Sequence, residues 1–553
     1  MGLLNIPILT LILVLAFVLY NYFIYPTFIS PLAKIPAAHP TASFSPIWIH
    51  WIRFRAREPS TIYAAHERLG PVVRLGPNEI SVNSVKGGLQ TIYSGGFEKW
   101  EFYKNLFENY GEPNMFSTLA SRPHSDRKRK ISNIYSKSFL ASSQSLSGVA
   151  SSLIYKELLP FFASKTSATP QPFDIFKTFS AIFMDFVTGY QFGLAHCAKL
   201  MQRPTFTKHL LEDYDARRSM VFWNQEFATL TKWLKRLGIR LIPKWVDEAN
   251  REIEEFTLEM CDAAAAYLSR LEEQGAEKAC DVESDADYPA VFCQLIGAMI
   301  KDSNSTDSNG KAPQKISEFY AKNRYLIASE FLDQLSAGFD TSSITMTYVI
   351  HELSARPQLQ AALRSELLTL DPPIKPSSAP RLPNPKHLDA LPLLHQIIYE
   401  TLRLHPAIPG PQPRITPHSG CLIGPPRSAS SPTRLEKSEP QSYRLPAGVR
   451  ISAEALCLHQ NEDVFPDAKS WKPERWEGGG TAEMNRWFWA FGSGGRMCIG
   501  SNLAFFQMKH ILAAIYTNYT TSIVDDEGIE QADLYTAPPR GNKLIVKFNP
   551  VLD

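Results

Sequence analysis

Residues 1–33 contain no aspartate, glutamate, lysine or arginine, and residues 6–24 form an apolar run broken only by Pro7, Thr10 and Asn21. At a rise of roughly 1.5 Å per residue, residues 3–25 can cross a bilayer core of roughly 30 Å. A buried core helix and a cleaved leader are the competing readings. A leader normally has a charged start and an apolar stretch of about 7–15 residues, and this run fits neither condition. Tyr20, Tyr22 and Tyr25 gather at its end like an interfacial belt, and Arg53, Arg55 and Arg57 are the first dense basic residues beyond it. The positive-inside rule then puts the remainder in the cytoplasm. The expectation is an uncleaved single-pass transmembrane anchor over 1–25. Asn304 and Asn518 fit the glycosylation pattern, and on this topology neither carries a glycan.

Pro26, Pro31, Pro36 and Pro40 follow at near-regular spacing, a composition that resists helix and predicts a stiff extended hinge over 26–49. The catalytic globule then occupies 50–553. Of the 553 residues, 44% are hydrophobic and 20% charged, too apolar for a disordered chain. With 57 Lys+Arg against 55 Asp+Glu, no charge excess asks for nucleic acid. Seven widely spread cysteines without a C-x-x-C suggest neither a disulfide framework nor a structural zinc site, which points to a reducing compartment. Apolar residues at i, i+3, i+4 spacing predict helices over 252–271, 327–355 and 358–370. Strand signals are short: a hairpin of 72–75 with 79–82, and another of 443–445 with 449–452. The fold class is therefore mainly α with a minor β-sheet. Polar stretches at 301–314 and 424–442 read as exposed loops.

Chemistry concentrates near the C-terminus, in Phe491-Gly492-Ser493-Gly494-Gly495-Arg496-Met497-Cys498-Ile499-Gly500. Glycines before a lone cysteine let the backbone approach a flat cofactor. A cysteine at a helix start has its thiolate favoured by the dipole and by free N–H groups. Cys498 is thus placed to ligate a metal, and Arg496 presents a charged fork suited to a carboxylate. A glycine turn capping a helix beside an inert cysteine is the plainer alternative for any single element of this pattern.

The whole segment, F-x-x-G-x-R-x-C-x-G with Phe491, Gly494, Arg496, Cys498 and Gly500 at the fixed positions, resembles the heme-binding loop of the cytochrome P-450 family. The resemblance implies that Cys498 is the axial ligand of heme iron in heme b, that Arg496 pairs with a propionate and that Phe491 packs on the cysteine side of the ring. Glu400-Thr401-Leu402-Arg403 is similar to the family's Glu-x-x-Arg helix, and Pro473-Glu474-Arg475-Trp476 to the segment whose arginine completes a Glu400, Arg403, Arg475 network. This network is read as structural. Ala337-Gly338-Phe339-Asp340-Thr341-Ser342 resembles the distal groove, where an acid and an alcohol, here Asp340 and Thr341, relay protons to dioxygen. A small-residue helix crossing accounts for Ala337-Gly338 but not for the acid beside the alcohol. Arg414 resembles a further propionate contact. His124 resembles the start of the [WH]-x-x-x-R helix, although strict spacing then reaches Lys128 instead of arginine. The run from Arg127 to Lys130 reads equally as a solvated basic face or as docking for an acidic redox partner.

The resemblance covers the chain from about residue 40 onward, with 133–139 (NIYSKSF) similar to fungal members. One departure is an insertion of about 15 residues over 425–442, for which no mechanism is offered. The stretch after Cys498 leaves no room for flavin and nicotinamide domains, so the expected electron source is a separate membrane-bound NADPH-cytochrome P-450 reductase in the endoplasmic reticulum. The resemblance implies a monooxygenase acting on an apolar small molecule, such as a fungal terpenoid or polyketide secondary metabolite. The alternatives are a heme-thiolate isomerase or dehydratase needing no dioxygen, and a non-enzymatic membrane-anchored heme protein. The pocket is expected from 103–119, 201–245, 335–337, 407–409 and 534–536, mostly aliphatic and aromatic.

Overall fold

A computed structural model describes residues 5–166, 170–274, 286–306, 315–424 and 442–551. The strongly periodic segments fold as helices at Lys244–Glu273, Ile316–Ser354 and Pro357–Leu367. Ile316–Ser354 is the central helix. It lies against Ile175–Phe192, whose residues are all buried except Lys177, as suits a helix apolar on every face. Gly338 marks the crossing of the two, since a Cβ there would lie 2.7 Å from Val187 Cγ2.

The strands are β1 (Val72–Gly76), β2 (Glu79–Val82), β3 (Phe173–Asp174), β4 (Arg414–Ile415), β5 (Cys421–Ile423), β6 (Tyr443–Leu445), β7 (Arg450–Ser452), β8 (Tyr519–Asp525) and β9 (Ile545–Pro550). They form three small sheets, ordered β1-β2-β7-β4, β3-β9-β8 and β5-β6. The β1–β2 hairpin forms. The second predicted hairpin does not: β6 pairs with β5, whereas β7 runs parallel to β2 and antiparallel to β4. β7 is buried along its length and takes the interior position of the larger sheet, so the turn at 446–448 passes the chain between sheets.

Two other expectations change. The apolar helix runs beyond residue 25: Ile8–Ile29 is long and apolar enough to cross a membrane, and its most apolar stretch is not covered by the rest of the molecule. The proline-rich segment is not a free spacer, because Leu32, Ile35, Ala38 and Ala42 are buried against the globule. Its clamp is Arg74, fully buried on β1, which donates to the carbonyls of Pro26 (2.8 Å), Ser43 (3.0 Å) and Pro77 (2.8 Å). Proline removes donors from a segment but leaves its carbonyls free for such a side chain.

Residues 301–306 belong to the Ala290–Thr306 helix instead of a loop. Residues 307–314 and 425–441, with most of the insertion, lie outside the described residues. Cys293 is disulfide-bonded, although the spacing of the cysteines suggested no disulfide framework.

Candidate active site

Cys498 stands three residues before the Ser501–Asn518 helix, at the end of a tight loop in which its N–H donates to Phe491 O at 3.0 Å. Gly494 has φ +67°, and a Cβ there would meet Tyr93 O at 2.4 Å, so both conformation and space demand glycine. Gly500 is the N-terminal cap residue of the helix, and Phe491 packs on Phe505 with ring centroids 5.6 Å apart. The cysteine lies deep in the molecule, yet its side chain is uncovered and so faces an internal space. Burial pushes its thiol up; the N–H groups of Gly500 and Ser501 and the ammonium of Lys128 act the other way. Lys128 Nζ donates to the carbonyls of Met497 (2.8 Å) and Gly495 (3.3 Å), pinning this loop from outside.

The central helix supplies the opposite wall. Most of its residues between Ile327 and Ser354 are buried, but Asp333, Ala337 and Thr341, four apart, are an incompletely covered stripe. Asp333 is near enough to act electrostatically on Cys498. Thr341 Oγ1 donates to Ala337 O at 2.7 Å, the back-bond open to a helical threonine. Asp340 Oδ1 accepts from Arg218 at 2.9 Å. Arg218 also holds Asp215 at 2.9 Å, and Asp215 in turn accepts from Asn542 at 3.0 Å.

Between these walls a set of cations converges. Arg414 donates to Tyr103 Oη at 2.7 Å, but its Nε is buried without a partner among the described residues. Arg496 reaches the carbonyls of Thr118 (3.0 Å) and Leu119 (2.8 Å) and is depressed to about 10, chiefly by burial and then by Arg414. His124 is pushed down to about 3 by burial and by Arg496, Lys99, Lys128 and Arg414. Lys99 was not foreseen from sequence. It is buried, its Nζ lies 4.5 Å from the Tyr103 ring and 4.3 Å from the Phe116 ring, and burial with Arg414 and Arg496 pulls it well below the usual lysine range. Its one sequence signal is position, a lone lysine between Phe97 and Trp100 at the entry to an aromatic stretch. The acid paired with this group is Glu98, half-exposed and 3.3 Å from Arg496. Mutually repelling buried cations and an orphaned guanidinium N–H fit a ligand with paired carboxylates, such as the propionates of heme.

The Glu400 cluster is complete without a ligand. Glu400, fully buried, accepts from Arg403 Nε (2.9 Å) and Nη2 (2.7 Å), Arg475 Nε (2.9 Å), Trp476 Nε1 (2.9 Å) and the Lys472 N–H (2.9 Å). His459 couples this cluster to the cysteine loop. Its Nδ1 donates to Arg403 O at 2.9 Å and its Nε2 accepts from the Trp489 N–H at 2.7 Å, an arrangement that only neutral imidazole satisfies.

The aromatic wall of the cavity is made by Tyr103, Phe107, Phe116 and Tyr535, with centroids 4.8 Å apart for Phe107–Phe116 and 5.2 Å for Phe107–Tyr535. Tyr214 from the 201–245 region packs on Phe339 at 4.8 Å.

Sequence comparison adds to this geometry. The family model described as Cytochrome P450 matches residues 40–546. Cytochrome P450 monooxygenase avaI of Aspergillus versicolor is 28% identical over 454 residues, 80% of this chain and 93% of its own length. Cytochrome P450 monooxygenase ucsK of Acremonium sp is 25% identical over 532 residues, covering 93% and 92% of the two chains. Cytochrome P450 monooxygenase tpcC of Cochliobolus heterostrophus is 25% identical over 527 residues, covering 92% and 88%.

Proposed function

Because this chain belongs to the cytochrome P450 family and is an oxidoreductase of the monooxygenase kind, we propose that Cys498 ligates the iron of heme b and that the chain oxidises an apolar small molecule of fungal secondary metabolism. The observation that carries this reading is the uncovered Cys498 side chain just before a helix start, in a molecule where Arg414, Arg496, His124 and Lys99 converge with a guanidinium N–H left unpartnered among the described residues. A thiolate-ligated heme supplies electron density that favours O–O cleavage.

The protein's own groups divide the remaining work. Arg414, Arg496, His124 and Lys99 are the residues that would hold the propionates. Lys128, bonded to loop carbonyls, shapes the thiolate loop, and Glu400, Arg403 and Arg475 fix the structure beneath it. Thr341 holds a proton against Ala337 O at rest and offers it to the cavity when its hydroxyl rotates. Asp340 can release Arg218 and take up or pass on a proton, because Arg218 then remains paired with Asp215.

Electrons come from a separate NADPH-dependent reductase. The chain sits on the cytoplasmic face of the endoplasmic reticulum, with Ile8–Ile29 as its anchor. Ile47, Trp51, Phe54, Trp233, Leu237 and Trp245 are large exposed apolar side chains, and Phe54 touches Phe222 and Trp223 of the Val221–Arg236 helix. Exposed apolar side chains of this size fit contact with lipid.

The test is the optical spectrum of the reduced, carbon-monoxide-bound protein in detergent, followed by NADPH and dioxygen consumption with added reductase. The native chain gives the long-wavelength band of thiolate-ligated heme, and Cys498→Ala loses both band and turnover. Full turnover by Cys498→Ala overturns the assignment.

A further inference from the structure

We infer that His209, Asp213 and Glu252 form a zinc site that braces two helices, a function separate from the heme-thiolate centre and independent of that reading. His209 and Asp213 lie on the Pro204–Ser219 helix, and their i, i+4 spacing puts both on one face. Glu252 lies on the Lys244–Glu273 helix, which packs against the first. His209 Nε2 stands 2.8 Å from Glu252 Oε2 and 3.9 Å from Asp213 Oδ2, and the three ligand atoms all lie within 4.8 Å of one another. In a tetrahedral zinc site with bonds of about 2.0–2.1 Å, ligand atoms sit about 3.3 Å apart. The two separations from His209 bracket that spacing, so small side-chain rotations close the three atoms on one ion.

Bonding within the protein does not account for Asp213. It is 8% exposed, and among the described residues no N–H or hydroxyl group donates to its carboxylate, which leaves His209 Nε2 at 3.9 Å as the basic group it meets. Glu252 already holds that nitrogen at the shorter distance. Two carboxylates around one imidazole leave a negative charge uncompensated even when the imidazole carries a proton. A dication in place of that proton answers both charges and takes the imidazole nitrogen as its third ligand. All three residues line one cleft of about 470 Å³, with room for the water that completes a three-ligand zinc shell. His196 also lines this cleft, and its Nε2 is covered without a hydrogen-bond partner among the described residues. Arg203 is a further lining residue, but its guanidinium lies over the Phe206 ring at 4.0 Å.

The mixed donor set selects the metal. One imidazole nitrogen with two carboxylates suits zinc, whereas calcium and magnesium take oxygen ligands. The brace acts on the wall of the candidate active site. The helix bearing His209 and Asp213 also carries Tyr214, packed on Phe339 at 4.8 Å, and Arg218, which holds Asp340 at 2.9 Å. Zinc between the two helices therefore fixes the element that presents Arg218 to Asp340.

The experiment titrates zinc chloride into the detergent-purified full chain, by calorimetry and by competition with a chromophoric chelator, and follows thermal unfolding with and without zinc. His209→Ala, Asp213→Asn and Glu252→Gln each weaken zinc binding at least about tenfold, because even residues behind the ligands are worth about 10–100-fold in metal affinity. His387→Ala, at an exposed histidine elsewhere, leaves the affinity unchanged. Zinc raises the unfolding temperature of the native chain and of His387→Ala but not of the three cluster variants. Should Asp213→Asn fail to fold, Glu252→Gln and His209→Ala carry the comparison, since both side chains are exposed. No zinc binding by the native chain, zinc binding undiminished in His209→Ala and Glu252→Gln, or calcium bound as tightly as zinc overturns the inference. Heme content does not enter these readouts, so their failure leaves the heme-thiolate reading standing, and a missing thiolate band leaves the zinc site standing.

Discussion

Two buried ionic clusters in this chain are built on opposite plans. Around Glu400 one carboxylate is met by two guanidinium groups, an indole N–H and a backbone N–H, so each charge finds its partner inside the fold. Around Lys99, Arg414, Arg496 and His124 the side chains carry the same sign of charge or depress one another toward neutrality, and Arg414 Nε has no partner. A cluster that closes on itself is architecture. One that stays open requires a ligand of opposite charge, and here it lies beside the cavity that Cys498 faces.

The largest effect that can break this contrast comes from the closed cluster. Glu400→Gln leaves Arg403 fully buried beside a neutral amide and costs about 3–5 kcal/mol, as removal of one member of a buried charged network typically does. Denaturant unfolding of the protein, with and without heme, should show the loss in both forms. An unchanged midpoint would remove the distinction between architecture and ligand site.

The next effect concerns the link between that cluster and the cysteine loop. His459 is held at about 3 by burial and by Arg403, against an ordinary value near 6.5. Its folded-state pKa is depressed, so the unfolded chain binds the extra proton first. The stability it contributes is complete above about pH 6.5 and is lost as the pH falls from there toward 3, by about 1.4 kcal/mol per unit. His459→Gln is less stable at neutral pH, and its unfolding free energy falls with acid by one proton less than that of the native chain. Parallel pH profiles would mean that the imidazole is not held neutral between Arg403 O and the Trp489 N–H.

The two clusters were not equally legible in the sequence. Glu400, Arg403 and Arg475 sit in motifs with fixed local spacing, and their meeting requires only one helix and one short turn. Cys498 is announced by the glycines that its loop geometry demands. Lys99 carries no such signature, because its significance depends on the distant Arg414 and Arg496 that the fold brings to it. Arg218 is equally silent, since its partnership with Asp340 joins residues 122 apart. The same reasoning explains the missed strand pairing: a turn at Gly448 is readable locally, but whether the chain folds back or enters another sheet depends on β2 and β4 waiting beside β7.

The smallest effect is the most discriminating, because it is expected to reverse sign with the ligand. Lys99→Met removes a cation that burial, Arg414 and Arg496 already disfavour. In the heme-free protein the loss relieves repulsion, and methionine suits the space between the Tyr103 and Phe116 rings, so thermal unfolding is unchanged or moves upward by the equivalent of about 1 kcal/mol. In the heme-loaded protein the same substitution removes a charge-assisted hydrogen bond to a propionate, worth about 1.5–3 kcal/mol, and heme transfer to an acceptor protein becomes at least about tenfold faster. Arg403→Met is the control and should destabilise both forms. If Lys99→Met destabilises the heme-free chain as Arg403→Met does, then Lys99 belongs to the architecture, and the open cluster is smaller than the four side chains that converge on it.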